Sequence, residues 1–234
     1  VNNVRTVSDT KRTFYSLHTR PINTIYRRVV EELMVEIHLL SVNADFRYDP
    51  IYALGVVTAF NRFMQGYQPE RDHESIFNAL LQATQQDPQL YQQDALMLQA
   101  VAQSLPTPEL ISWLSQKAPH PEIDGNLQLT LEAIANNPNF KYNRLFAIGV
   151  FSLLEFSDPE LVKDEKRRTE ALKTIATGLK ISDDKLNKDL ELYRSNLDKM
   201  AQALVVMADM LTADRKKREQ RTQQSSTISP PKEA

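Results

Sequence analysis

Glu31, Glu32, Glu36 and His38 lie in one short run and have the types from which a carboxylate-bridged di-metal centre is made. Such a centre needs a Glu and a His three residues apart, so that both side chains leave one helix face toward the same ion. The position three before His38 is Val35, and the spacing fails. Glu32 stands four residues after Arg28 instead, the spacing of an ordinary helical ion pair. His18, His73 and His120 have no ligand-type neighbour at usable spacing. Other chemistries fare no better. The chain has no Cys, which removes thiolate ligands, disulfides and Cys nucleophiles. Its 5 Gly are scattered and form no phosphate loop. No G-x-S-x-G and no Ser-His-Asp set is legible along the chain. The expectation is a protein without catalytic residues, cofactor or metal.

The polar group that remains is Asp45, Arg47, Tyr48 and Asp49. It reads either as a recognition corner between two helices or as a structural turn. In the second reading Asp45 or Asp49 ties Arg47 while Phe46 and Tyr48 anchor the chain. An echo favours the turn. The stretch DFRYDPIYALGVVTAF, residues 45–60, returns as NFKYNRLFAIGVFSLL, residues 139–154. Without a gap, Phe46 meets Phe140, Tyr48 meets Tyr142, Gly55 meets Gly149 and Val56 meets Val150. An amphipathic helix does not require that aromatic-basic-aromatic entry, so the pattern indicates internal duplication. Gly inside a helix costs about 1 kcal/mol relative to Ala. Two Gly at the same place therefore mark close helix packing, where a missing side chain admits a neighbouring backbone.

The elements that hold these residues read as helices throughout. Gly is scarce, while Leu, Ala, Gln, Glu and Lys are abundant, which favours helix over sheet. Asp49-Pro50, Asp87-Pro88, Thr107-Pro108 and Asp158-Pro159 each set a capping residue before a Pro suited to the first helical position. The expected helices are 21–41, 50–66, 70–84, 88–104, 108–118, 121–136, 143–155 and 159–178. No stretch alternates long enough for a strand. The expectation is an all-α, compact multi-helix bundle with two related halves. It comprises a basic N-terminal arm over 1–20, a helical body over 21–180, a long helix over 181–220 and a disordered tail over 221–234.

That last helix carries Leu186, Leu190, Tyr193, Leu197, Met200, Leu204, Met207 and Leu211 in alternating steps of four and three, a coiled-coil seam. Few complementary charges flank it, so its first half is expected to dock on the body. Its second half, 201–211, has a broader apolar face and is the candidate partner-binding surface, with Leu204, Met207, Met210 and Leu211 foremost. Arg215, Lys216, Lys217 and Arg218 follow. They complement the negative end of the helix, and could touch anionic lipid at about 1 kcal/mol per charge.

A formal charge of −2 argues against wholesale nucleic-acid binding. No segment approaches the roughly 20 apolar residues that a membrane-spanning helix needs, and residues 1–28 contain no apolar signal-peptide core.

The run PINTIYRRVVEELMVEIHLLSVNADFRYDPIYALGVVTAFNRFMQG, residues 21–66, closely resembles the signature of the thylakoid formation protein family. The preceding VRTVSDTKRTFYSLHTR and the later NFKYNRLFAIGVFSLLE are also similar to that family, and the likeness spans about residues 4–210. The resemblance implies an all-helical accessory factor of photosystem II biogenesis and repair in cyanobacteria and chloroplasts. It further implies association with the membrane-bound FtsH protease complex, peripheral to the thylakoid on its cytoplasmic or stromal side. It brings no catalytic residues. The alternative reading is a small-ligand-binding or enzymatic helical protein with a site between the two halves.

Overall fold

Most helices in the computed structural model, which describes residues 5–119 and 123–226, begin where a short polar side chain closes the first turn. In chain order they are α1 (Val7–Leu17), α2 (Thr24–Ser41), α3 (Pro50–Phe63), α4 (Asp72–Ala83), α5 (Pro88–Ser104) and α6 (Thr107–Leu114). They continue as α7 (Gly125–Asn136), α8 (Arg144–Ser157), α9 (Pro159–Lys163), α10 (Glu165–Leu179) and α11 (Asp183–Ser226). No strand occurs among the described residues. Asn23, Asp49, Asp87 and Asn143 each accept a backbone N–H from the turn they precede, which satisfies a donor that the helix itself leaves open.

Three expectations about the elements change. The N-terminal arm is a helix: Thr6 and Asp9 close a capping box at the start of α1, and Phe14 is fully buried. The helix expected over 159–178 breaks at Asp164, which ends α9 and caps α10 by accepting the Arg167 N–H at 3.0 Å. The last helix continues through Ser226, past the point where a structureless tail was expected. Residues 1–4 of the arm, His120 with the expected helix start at Pro121, and residues 227–234 of the tail lie outside the described residues.

The chain divides into two units, Val1–Tyr193 and Arg194–Ala234. At the centre of the first, α3 and α8 cross. A Cβ built on Gly55 would stand 1.7 Å from the Leu145 carbonyl oxygen, and one on Gly149 would stand 1.9 Å from the Ile51 carbonyl oxygen. The contacts are reciprocal, since Ile51 and Leu145 are themselves equivalent positions of the repeat. The two helices are thus related by a local twofold through backbones too close for any side chain. Ala53, Val56, Phe60, Ala147, Val150 and Leu154 complete the packing around the crossing, each almost fully buried.

Candidate partner-binding surface

The charged residues of α2 that raised the metal question all have other partners. Lys11 Nζ and Tyr15 Oη donate to Glu31 at 2.8 and 2.6 Å. Arg28 Nε donates to Glu32 at 2.9 Å, and Arg144 reaches Glu36 at 2.5 Å. His38 Nδ1 lies 2.9 Å from the Thr10 hydroxyl and fastens α1 to α2. Among the described residues no three His, Asp or Glu side chains converge as a metal site would require.

Tertiary structure brings together one pair that sequence reasoning missed. His18, at the end of α1, sets Nδ1 2.9 Å from the Ser75 hydroxyl on α4. Nearby Asp72 is buried and held by Arg20 at 2.8 Å. The types suggest a hydrolytic triad, but His18 Nε2 has no partner among the described residues, so no carboxylate orients the imidazole. Desolvation pushes the His18 pKa down. The pair is a neutral tie between helices.

At the repeated corner, Asp45 and Arg47 are exposed. Arg47 donates to the Ala44 and Phe46 carbonyls, both at 2.7 Å, so backbone oxygens tie it and the carboxylates of Asp45 and Asp49 do not. Tyr48 donates its hydroxyl to Asp94 of α5 at 2.5 Å. Tyr142 makes the same bond to Asp189 of α11 at 2.8 Å. Phe46 meets Tyr52 edge-on at 5.0 Å, and Phe140 meets Phe146 likewise at 5.1 Å. Burial and the carboxylate acceptors raise the pKa of both tyrosines far above the ordinary phenol value, so each stays a neutral donor. Every polar device of the first corner except Arg47 recurs in the second.

The caps of the two corners also differ in charge. The first caps α3 with Asp49, the second caps α8 with Asn143. Asp49 is buried, and desolvation pushes its carboxyl up to about 7 despite the N–H bonds from Tyr52 and Ile51.

The tyrosine–aspartate bonds also align α5 with the start of α11. Set in that register, Ser104, the end of α5, corresponds to Lys199. The 44-residue α11 runs on where its 17-residue counterpart stops. Leu186, Leu190 and Tyr193 are buried in the first unit. The second unit, where described, is a single helical stretch with no other element to cover it. Val205, Val206, Met210 and Leu211 are each more than half exposed there, and Leu204 and Met207 partly so. Arg215 pairs with Glu219 at 3.0 Å, and Lys216, Lys217 and Arg218 are exposed beside it. No helix among the described residues is long and apolar enough to cross a membrane.

Comparison with known proteins agrees along nearly the whole chain. Residues 6–222 match the family model described as thylakoid formation protein. Protein Thf1 of Nostoc punctiforme is 78% identical over 99% of this chain and 98% of its own length. Protein Thf1 of Trichormus variabilis is 76% identical over 98% of this chain and 99% of its own length. A solved structure of Psb29 superposes with a TM-score of 0.71 at 45% identity, covering 84% of this chain and 98% of that one. With both body and C-terminal helix inside the matched span, the chain belongs to the thylakoid formation protein family.

Proposed function

We propose that this protein is a non-enzymatic accessory factor that associates with the thylakoid FtsH protease complex and supports its accumulation or activity in photosystem II repair. It acts peripherally, from the cytoplasmic or stromal side. The distal half of α11 carries the contact through Leu204, Met207, Met210 and Leu211, with Arg215, Lys216, Lys217 and Arg218 against anionic thylakoid lipid.

One observation supports this reading above others. The duplicated body accounts for the chain up to about Lys199, and the remaining helix has exposed Val205, Val206, Met210 and Leu211 with nothing in its own unit to bury them. Exposed apolar side chains grouped in this way mark interaction sites. At the body's centre, the crossing of α3 and α8 is itself filled down to backbone contact.

The test is affinity purification of the tagged protein from mildly solubilised thylakoids, full length beside a chain ending at Met200. Co-purification of FtsH with the full-length form alone is the expected result. Equal recovery with both forms would move the contact to the body, and recovery with neither would remove direct association.

A further inference from the structure

The two halves also differ around the helices that flank α3. Between α3, α4 and α5 the body has a cleft of about 330 Å³, lined also by Phe156 of α8. Leu54, Val57, Phe77 and Phe156 supply apolar walls. The residues equivalent to its lining differ in the second half. Ala95 lines the cleft, while its equivalent in the register of Asp94 and Asp189 is the bulky, buried Leu190. Asn61 lines it too, and its equivalent Glu155 is taken up in an ion pair with Arg62, the residue equivalent to Phe156. Ser152 turns its hydroxyl back onto the Ile148 carbonyl at 2.7 Å. Its equivalent Thr58 makes no such bond and faces the cleft.

What remains open is chemically mixed. Thr58, Asn61, His73, Gln92 and Gln99 all present polar groups, and none has a side-chain hydrogen bond to a described residue. Burial lowers the His73 pKa, leaving a neutral imidazole near pH 7. The charged side chain at the cleft is Glu74, which disfavours an anion. Apolar walls with a few convergent neutral polar groups are the usual make-up of a small-molecule site, and this volume falls at the small end of their range.

We infer that the cleft between α3, α4 and α5 binds an uncharged, ring-sized amphipathic molecule, its apolar body against Leu54, Phe77 and Phe156 and its polar edge on the amides of Asn61, Gln92 and Gln99. This site is independent of the α11 surface and does not rest on the proposed role in protease association.

The probe is 6-propionyl-2-(dimethylamino)naphthalene, a neutral dye with an apolar bicycle and one carbonyl acceptor, titrated into the full-length protein. The anionic 8-anilinonaphthalene-1-sulfonate serves as the charge control. Saturable one-to-one binding with a blue-shifted emission is expected, at least about tenfold weaker in Ala95→Leu, which installs the residue of the second half. The anion should bind at least about tenfold more weakly than the neutral dye in the parent. Binding that is unchanged in a folded Ala95→Leu variant would overturn the site. So would no saturable binding in the parent, or equal binding of the anion. If Ala95→Leu does not fold, side-chain amide NMR shifts in the parent decide. Perturbation of Asn61, Gln92 and Gln99 supports the site, and perturbation elsewhere overturns it.

Discussion

Replacing Asp49 by Asn separates the cap's geometry from its charge. The Asp49 carboxylate accepts the Tyr52 N–H at 2.8 Å, and Asn143 accepts the Phe146 N–H at 2.9 Å in the equivalent place. Asn and Asp cap helices about equally well, so the amide preserves the bond. It removes an ionisation that burial opposes. With the folded-state pKa raised from 3.8 to about 7, the native protein holds a proton that the unfolded chain has released. Stability therefore falls as pH rises through that window, by about 1.4 kcal/mol per pH unit, and levels off above it. The full interval amounts to about 4 kcal/mol. Urea unfolding of parent and Asp49→Asn from pH 4 to pH 8, followed through the buried Trp113, measures it directly. Between those limits the variant should gain about 4 kcal/mol on the parent. A constant difference across the range would refute the reasoning, and a variant that is less stable at pH 8 would show that the charged carboxylate is preferred after all.

Gly55→Ala and Gly149→Ala each drive a methyl into a facing carbonyl and should destabilise by at least the 1–3 kcal/mol or so typical of overpacking, read as a fall in Tm. Tyr48→Phe leaves Asp94 without its donor and should cost about 1.5–3 kcal/mol in urea unfolding, as for other hydrogen bonds to charged groups. Tyr142→Phe should behave alike through Asp189, and a large difference between the two would argue against equivalent corners. A chain ending at Met200 retains Leu186, Leu190 and Tyr193, so its thermal unfolding should match the full-length protein within about 1 kcal/mol.

The class of fold is legible in the sequence because capping is local. An Asp or Asn followed by Pro, or by an apolar run of helical period, states where a helix begins whatever lies around it. Asp49, Asp87 and Asn143 act within three residues of themselves. The duplication is legible for the same reason, since a repeated helix needs a repeated entry. Boundaries were less so. Asp164 satisfies the caps of a break that the apolar pattern runs straight through. The N-terminal helix carries few apolar residues; Phe14 becomes buried, and Thr10 meets His38, only in the folded unit.

Local chemistry determined that this chain would be helical, with a repeated helix entry, free of Cys chemistry and ending in a long helix. Pairings across the chain belong to the tertiary structure alone. That Arg47 turns to backbone carbonyls, that His18 meets Ser75, and that Ala95 lines a cleft among α3, α4 and α5 belong to the folded chain and not to any one turn. The physical reason is that a cap senses only its own turn. A cavity exists only as the difference between what the neighbouring helices could fill and what they do.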